Sequence, residues 1–309
     1  MLSIDLKPRM RSWVKTIAGH VMWPLYLCKQ LAIAKHYHLK VASLALLSDN
    51  KRSDTLFILG SGSSIMEYDD TQWAEIAESD SIGINNWILH DFVPRFYAGE
   101  LLLDSRWLST YARNLAIRYS DYAGSTLIIM KWRPKMIYKL AYLPLKRTDY
   151  FVAPTVTIPA GGNPRCLHFS LRCLDRIGAL RQPPIFFTRT GSVDWCVLFG
   201  YKLGYRNIVL CGVDLNNTRY FWEVNAEHYK EKNFLLPKKR QRGPIHKTLD
   251  STRCSGGIPI DQVLLAIKDV LLEPRGISLY VGSKTSALYP RIPAYPWGRR
   301  KGEEQGKML

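Results

Sequence analysis

From residue 54 onward the chain alternates between two patterns. Short apolar runs predict strands at "TLFILG" (55–60), "SIGIN" (81–85), "RFYAGE" (95–100), "STLIIMKW" (125–132), "IFFT" (185–188), "NIVLCG" (207–212) and "GISLYVGS" (276–283). Between them, "DDTQWAEIAE", "SVDWCVLFGYK" and "IDQVLLAIKDVLL" return apolar side chains at helical spacing, and Gly204 stands where the second of these helices should stop. The section from about 101 to 182 mixes helix-like stretches with one strand and carries many Lys and Arg. Alternation of this kind predicts an α/β fold built on a doubly wound, mostly parallel, Rossmann-like sheet. Ligands of such sheets bind beyond the carboxyl ends of the strands. Ser61, Gly62, Ser63, Asn85, Asn86, Arg189, Ser192, Asp214, Asn216 and Ser283 all fall just past predicted strand ends.

Residues 1–50 follow a different pattern. Trp13, Ile17 and Val21, then Tyr26, Ile33, Tyr37 and Leu44, fit helices with one apolar face and a rim of Arg and Lys. The Trp23-Pro24 pair predicts a break into two helices. This is the composition of a basic amphipathic segment that associates with an anionic membrane surface, and an ordinary helix packed on the domain shares it. The chain then divides into this segment, an α/β domain over 51–292 and a basic tail over 293–309. Within the domain, polar and basic residues from about 223 to 255 predict a lid.

Composition narrows the partners. A formal charge of +17 calls for an anionic one: nucleic acid, acidic lipid or a phosphorylated substrate. Hydrophobic content of 47% excludes a disordered chain. The six cysteines show no C-x-x-C spacing and follow no secretory signal, so a reducing cytoplasm is expected and a disulfide framework is not. No stretch reaches the roughly 18 apolar residues of a membrane span.

The first turn, "GSGSSI", suggests backbone N–H groups approaching a phosphate at a helix start. A dinucleotide fingerprint would want a third glycine and an acid after the second strand, where this chain has Ile65 and Asn85-Asn86. The P-loop lysine is missing too. Asn offers a donor and an acceptor, which suits a sugar hydroxyl, a base edge or a phosphate oxygen. The nucleotide class is thereby open to a nucleotide-sugar. No D-x-D pair stands at a predicted strand end, and His90, His168 and His228 lack metal-ligand spacing, so neither a metal nor a cofactor is expected.

"FILGSGSSI", "GINNW", "TRTGSVDWCVLFGYKLGYRNIVLCGVDLNNTRYFW", "IHKTLD" and "LYVGSKTSAL" together resemble the bacterial lipooligosaccharide sialyltransferases of the Campylobacter, Haemophilus and Pasteurella type, across about residues 54 to 290. The block from Arg189 to Tyr220 is the most specific. The resemblance implies a GT-A-like single domain with a lid that performs inverting, metal-independent transfer from CMP-sialic acid. It implies CMP contacts from Ser61, Gly62 and Asn85 and a sugar carboxylate received by Ser192; Ser63, Arg189, Asp214, Asn216 and Ser283, by their place past strand ends, are further donor-side candidates. Tyr220 would assist the departing phosphate, and His246, in the lid, would be the general base. Nearby cations should hold His246 neutral. Departures from the family pattern bear on the sugar: Asn216 stands in place of a Tyr, Ser61 in place of an Asn, and Ala98, with Glu100 close by, in place of another Asn. CMP-Kdo and CMP-linked relatives such as legionaminic or pseudaminic acid are therefore open as donors. The acceptor implied is lipopolysaccharide or another surface glycan, met at the inner face of a bacterial inner membrane. A competing reading is a non-catalytic basic α/β protein that binds nucleic acid, for which no helix-turn-helix, RNP or zinc-finger pattern is present. The oligomeric state is left open.

Overall fold

The computed structural model describes residues 8–100, 105–130, 138–141, 143–146, 149–182, 184–216, 219–237, 246–254 and 256–298. Its strands are β1 (Thr55–Leu59), β2 (Asp80–Ile84), β3 (Phe96–Glu100), β4 (Thr126–Met130), β5 (Tyr150–Val152), β6 (Thr155–Thr157), β7 (Phe186–Thr188), β8 (Asn207–Cys211) and β9 (Ser278–Val281). Seven of them form one parallel sheet in the order β5-β4-β3-β2-β1-β8-β9, and β6 and β7 form a separate parallel pair. The chain thus leaves β1 in one direction through β5 and later returns to the other side of β1 with β8. That reversal opens the crevice in which doubly wound sheets bind ligands. At the carboxyl edge, Leu59 of β1 stands beside Gly83 of β2 and Cys211 of β8.

Both faces of the sheet are covered, which is why its strands read as unbroken apolar runs. Leu56 and Ile58 face a core shared with α5 (Pro164–Arg176), α6 (Ser192–Lys202) and α9 (Ile260–Ile267). Phe57 and Leu59 face an aromatic core containing Trp87, Tyr97 and Phe221. The sequence predicts one apolar face for α6, but every residue from Asp194 to Lys202 is buried. The helix is wedged between the main sheet and the small β6–β7 pair, and Gly200 lets it approach closely. A Cβ there would lie 2.8 Å from Ile208 Cδ1. Gly204, with φ +68°, ends the helix region as expected.

At the opposite edge of the sheet, Asp80 is fully buried and anchors the start of β2. It accepts from the Arg52 and Ser53 N–H groups (2.8 and 3.0 Å) and from the Tyr205 hydroxyl (2.9 Å), and pairs with Arg95 Nε at 3.0 Å.

The N-terminal segment departs from its prediction. A single helix, α1 (Pro8–His36), runs straight through Pro24, followed by a short α2 (Leu44–Asp49). Proline removes one helical hydrogen bond, yet tertiary contacts hold the helix on both sides of it. His20 Nε2 lies 2.8 Å from Ser170 Oγ, and the Trp23 ring packs edge-on against Phe187. Gln30 then clamps β6, its Nε2 donating to Thr155 O (3.0 Å) and its Oε1 accepting from Thr155 N–H (3.2 Å). One face of α1 is therefore packed on the domain. The other leaves Val14, Ile17, Val21 and Leu25 exposed, Val21 to 66% and Leu25 to 62%. Among the described residues no helix is long and apolar enough to cross a membrane.

Of the predicted lid, residues 238–245 and 255 lie outside the described residues, as do 299–309 of the predicted tail. Two short helices, α7 (Phe221–Val224) and α8 (Ala226–Glu231), lie at the start of this segment. The packed domain continues past 292: Trp297 stacks on Phe57 at 5.5 Å and donates to Gly282 O.

Candidate functional site

The carboxyl ends of β1 and β8 approach unusually closely. Gly60 N–H donates to Cys211 O and Gly62 N–H to Gly212 O, both at 2.7 Å. A Cβ on Gly60 would sit 2.6 Å from Gly212 O, and one on Gly62 2.5 Å from Asp214 Oδ2. Close approach explains these glycines. Asp214, only 4% exposed, clamps the turn. Its Oδ2 accepts from Ser64 N–H (3.1 Å) and Ser63 Oγ (3.5 Å), and its Oδ1 accepts from the Ser64 hydroxyl. The protein's own carboxylate thus occupies the start of the single 3-10 turn Ser63–Glu67, where the sequence predicts a ligand phosphate. Of the N–H groups in this turn, that of Ser64 is taken by Asp214 and that of Gly62 by Gly212 O.

Above this junction lies a cavity of about 360 Å³. Ser61, Gly62, Asn85, Ser192, Asp214, Tyr220 and His246 all line it, so most of the predicted site residues converge. Asn85 is in the left-handed region at φ +53°, a costly conformation for a non-glycine residue that clusters at functional sites. It is held at both ends. Its backbone carbonyl accepts from the Tyr97 hydroxyl, and its side-chain Oδ1 accepts from Glu100 N–H at 3.3 Å.

Ser192 begins α6 without capping it, because Asp194 does that. The Asp194 carboxylate accepts from the N–H groups of Arg189, Thr190 (3.2 Å) and Gly191 (2.6 Å). The Ser192 hydroxyl is thereby turned to the cavity, where it accepts from Asn85 Nδ2 (3.1 Å) and donates to Glu100 Oε1 (2.5 Å).

Tyr220 is brought in by backbone pairing. It forms an antiparallel bridge with Gly62, reinforced by Phe221 N–H donating to Ser61 O at 3.1 Å, and its ring stacks on Trp222 at 4.6 Å. Trp107, Tyr220 and Trp222 give the cavity aromatic surface.

His246 hangs from Leu215, whose carbonyl accepts its N–H at 3.2 Å. Its Nδ1 lies 2.7 Å from Thr248 Oγ1, and the Thr248 backbone N–H also points at Nδ1, from a longer 3.4 Å. A proton on Nδ1, donated to Thr248 Oγ1, suits the shorter contact and makes Nε2 the basic nitrogen of the ring. Burial first, then Lys247 and Arg253, lower its pKa to about 4, so the ring is neutral near pH 7.

Other predicted residues lie off the cavity lining. Arg189 is buried and its guanidinium donates to Ile158 O (3.2 Å) and Gly256 O (2.5 Å), tying the 251–258 loop to the domain. Asn216 Nδ2 donates to Thr285 O at 2.6 Å, and Ser283 Oγ contacts Thr285 Oγ1 at 2.7 Å. Ser63 faces Asp214. All five contacts are internal. His90 is structural: it stacks on Trp87 at 4.3 Å, and its Nδ1 accepts from Phe92 N–H. Conversely, Glu100, Trp107, Thr190, Arg219, Lys247 and Thr248 line the cavity although sequence reasoning assigned them no role. Glu100 carried a signal, being the polar end of a predicted strand.

No protein-family model and no curated protein sequence matches the chain. Among solved structures it is similar to the monofunctional alpha-2,3-sialyltransferase Cst-I from Campylobacter jejuni, at 14% identity and a TM-score of 0.43, over 78% of this chain and 80% of that one. It is also similar to the sialyltransferase CstII from Campylobacter jejuni in complex with cytidine-5'-monophosphate, at 15% identity and a TM-score of 0.43, over 80% and 87% of the two chains. Both likenesses are distant, and the chemistry proposed below rests on this chain's own residues.

Proposed function

We propose that the chain is an inverting, metal-independent glycosyltransferase that moves a 2-keto acid sugar from its CMP donor to a hydroxyl of a surface glycan or glycolipid. The observation that carries this reading is the convergence of Asn85, Ser192, Tyr220 and His246 on one cavity at the strand-order reversal. A CMP-linked sugar brings its own leaving phosphate and reacts through an oxocarbenium-like transition state. The protein must therefore remove a proton from the acceptor and stabilise the phosphate. His246 Nε2 takes the acceptor proton while the hydroxyl oxygen attacks the anomeric carbon, and the bond to the CMP oxygen breaks on the opposite face. Tyr220 donates a hydrogen bond to the departing phosphate, and Arg219 and Lys247 supply positive potential in the same cavity. No cofactor enters this scheme.

The acceptor side of the reading rests on α1. Its exposed Val14, Ile17, Val21 and Leu25 are accompanied by exposed Arg11, Lys15, Lys29 and Lys35, a chemistry that complements an anionic lipid surface. We place the chain on the cytoplasmic face of a bacterial inner membrane, where activated sugars and lipid-linked acceptors meet. The test is a panel of CMP-sugars with and without glycolipid, followed by CMP release in excess EDTA. Release from at least one donor that survives EDTA is expected. A panel without turnover, combined with tight and steeply salt-dependent nucleic-acid binding, would overturn the proposal.

A further inference from the structure

We infer that α5 supplies half of the lipid-facing surface: Arg165, Arg172 and Arg176 rest on the headgroups of an anionic bilayer while the apolar stripe of α1 enters it. This rests on the membrane reading of α1 above and adds a second element to it.

An interfacial helix sets cations along the margins of its apolar face, where they reach headgroup phosphates. In α1, helical spacing brings Trp13, Ile17, Val21, Val14 and Leu25 one after another around about 120° of the circumference. Exposed Lys29 and Lys15 follow on the Leu25 side, about 40° and 80° further round. On the Trp13 side the helix turns into the domain, where His20 meets Ser170 and Trp23 meets Phe187. Along that margin α5 takes over.

Arg165, Phe169, Arg172 and Arg176 recur along α5 at helical spacing, within about 60° of arc, and all four are exposed. The rest of the helix buries Cys166, Leu167, Leu171 and Leu174 in the core. The two stripes share an edge, because Phe169, 42% exposed, meets the Trp13 ring edge-on at 5.2 Å. The surface therefore runs from the lysines of α1 across its aliphatic side chains to the Trp13–Phe169 pair, and on to the arginines of α5. Trp belongs at such a boundary, with its ring at headgroup level. Little opposes the charge. α1 contains no acidic residue, and Asp175 of α5 is held by the Tyr201 hydroxyl, Arg181 and Arg275. Among the described residues none of the three arginines has an ion-pair partner. Nucleic acid would use the arginines and leave the aliphatic row beside them in water, whereas an anionic bilayer takes both.

The test is co-sedimentation of the full chain with vesicles of phosphatidylcholine and phosphatidylglycerol. One variant combines Arg165→Gln, Arg172→Gln and Arg176→Gln. A control loses the same charge through Arg113→Gln, Lys146→Gln and Lys230→Gln, exposed residues of the layer on the other face of the sheet, with Arg113 on α4 (Ser105–Arg118) and Lys230 on α8. Each cation near an anionic surface is worth about fivefold in partition, so the α5 variant should bind about a hundredfold more weakly. The control should lose less than about threefold, because screening confines the attraction to charges near the lipid. Both should melt at the wild-type temperature, since every substituted side chain is exposed. Equal losses in the two variants, or unchanged binding by the α5 variant, would overturn the inference while leaving α1 as the membrane element. An α5 variant that keeps vesicle binding and loses duplex DNA binding would make the arginines a nucleic-acid contact instead. A wild type that ignores the vesicles overturns the inference and the membrane reading of α1 together.

Discussion

Asp214 offers a quantitative test of how the floor of the cavity is built. Replacing it by Ala removes the acceptor of the Ser64 N–H and of the Ser64 hydroxyl, both buried. Hydrogen bonds to charged groups are worth about 1.5–3 kcal/mol each, so the loss should reach about 3–6 kcal/mol. That is a large share of a typical domain's stability of about 5–15 kcal/mol. Asp214→Asn keeps the shape and one carbonyl oxygen. The Ser64 hydroxyl can turn round and accept from the new amide, so the cost should be about 1–2 kcal/mol, the charge assistance alone. Equilibrium urea unfolding followed by tryptophan fluorescence gives both numbers. A double-mutant cycle with Ser64→Ala should show a coupling of about 1–3 kcal/mol, since the two residues act through each other. CMP affinity should fall with the Ala variant and much less with the Asn variant. Equal losses for Ala and Asn, or an additive cycle, would refute the clamp and leave the close approach of Gly60 to Gly212 to hold the turn alone.

Replacing His246 by Ala should lower the transfer rate by about 10²–10⁴ with little change in CMP affinity, as single-turnover kinetics would register. With its pKa at about 4, the acidic limb of kcat/KM should lie near pH 4 in the wild type and vanish in this variant; a limb that persists would point to another base. His90 and His246 are both lowered to about 4 from 6.5, chiefly by burial, so the unfolded chain binds protons that the folded chain refuses. Stability is full above pH 6.5 and falls as pH drops toward 4, by up to about 3 kcal/mol per histidine, and His90→Gln should flatten this part of a melting-temperature profile. Val21→Glu with Leu25→Glu should abolish binding to anionic liposomes without lowering the melting temperature, whereas retained binding would return the α1 stripe to an inert surface.

Strands buried on both faces, such as β1, β2, β4 and β8, were legible because, past a polar first residue, they are almost wholly apolar or small. β5 and β6, of three residues each, carry too little pattern to be read, and the pairing of β6 with β7 joins residues about thirty positions apart. The passage of α1 through Pro24 was illegible for the same kind of reason: the contacts that sustain it come from Ser170, Phe187 and Thr155. At the site, residue types past strand ends pointed to Asn85 and Ser192, and the family resemblance to Tyr220 and His246, and all four line one cavity. Which hydrogen bonds they had left to offer was not legible. Nothing in the sequence signals that Arg189 donates to Ile158 O and Gly256 O, or that the Ser192 hydroxyl meets Glu100. Local sequence records a donor or acceptor, and only the fold records what has already claimed it.

The clamp of Gln30 on Thr155 carries a consequence for anyone shortening this chain. One edge of β6 is paired with β7, and the N–H and C=O of Thr155 on its other edge are occupied by a side-chain amide acting as a one-residue substitute strand. Removing α1 would uncover that edge together with the apolar surface under Leu27 and Ala34. An uncovered strand edge is a template on which a second molecule can add its own strand. Chains cut at about residue 45 should therefore precipitate or form oligomers with the β6 edges in register, and any drop in liposome binding measured on them would be indistinguishable from loss of soluble protein. Substitutions on the outward side of α1 leave this seal in place.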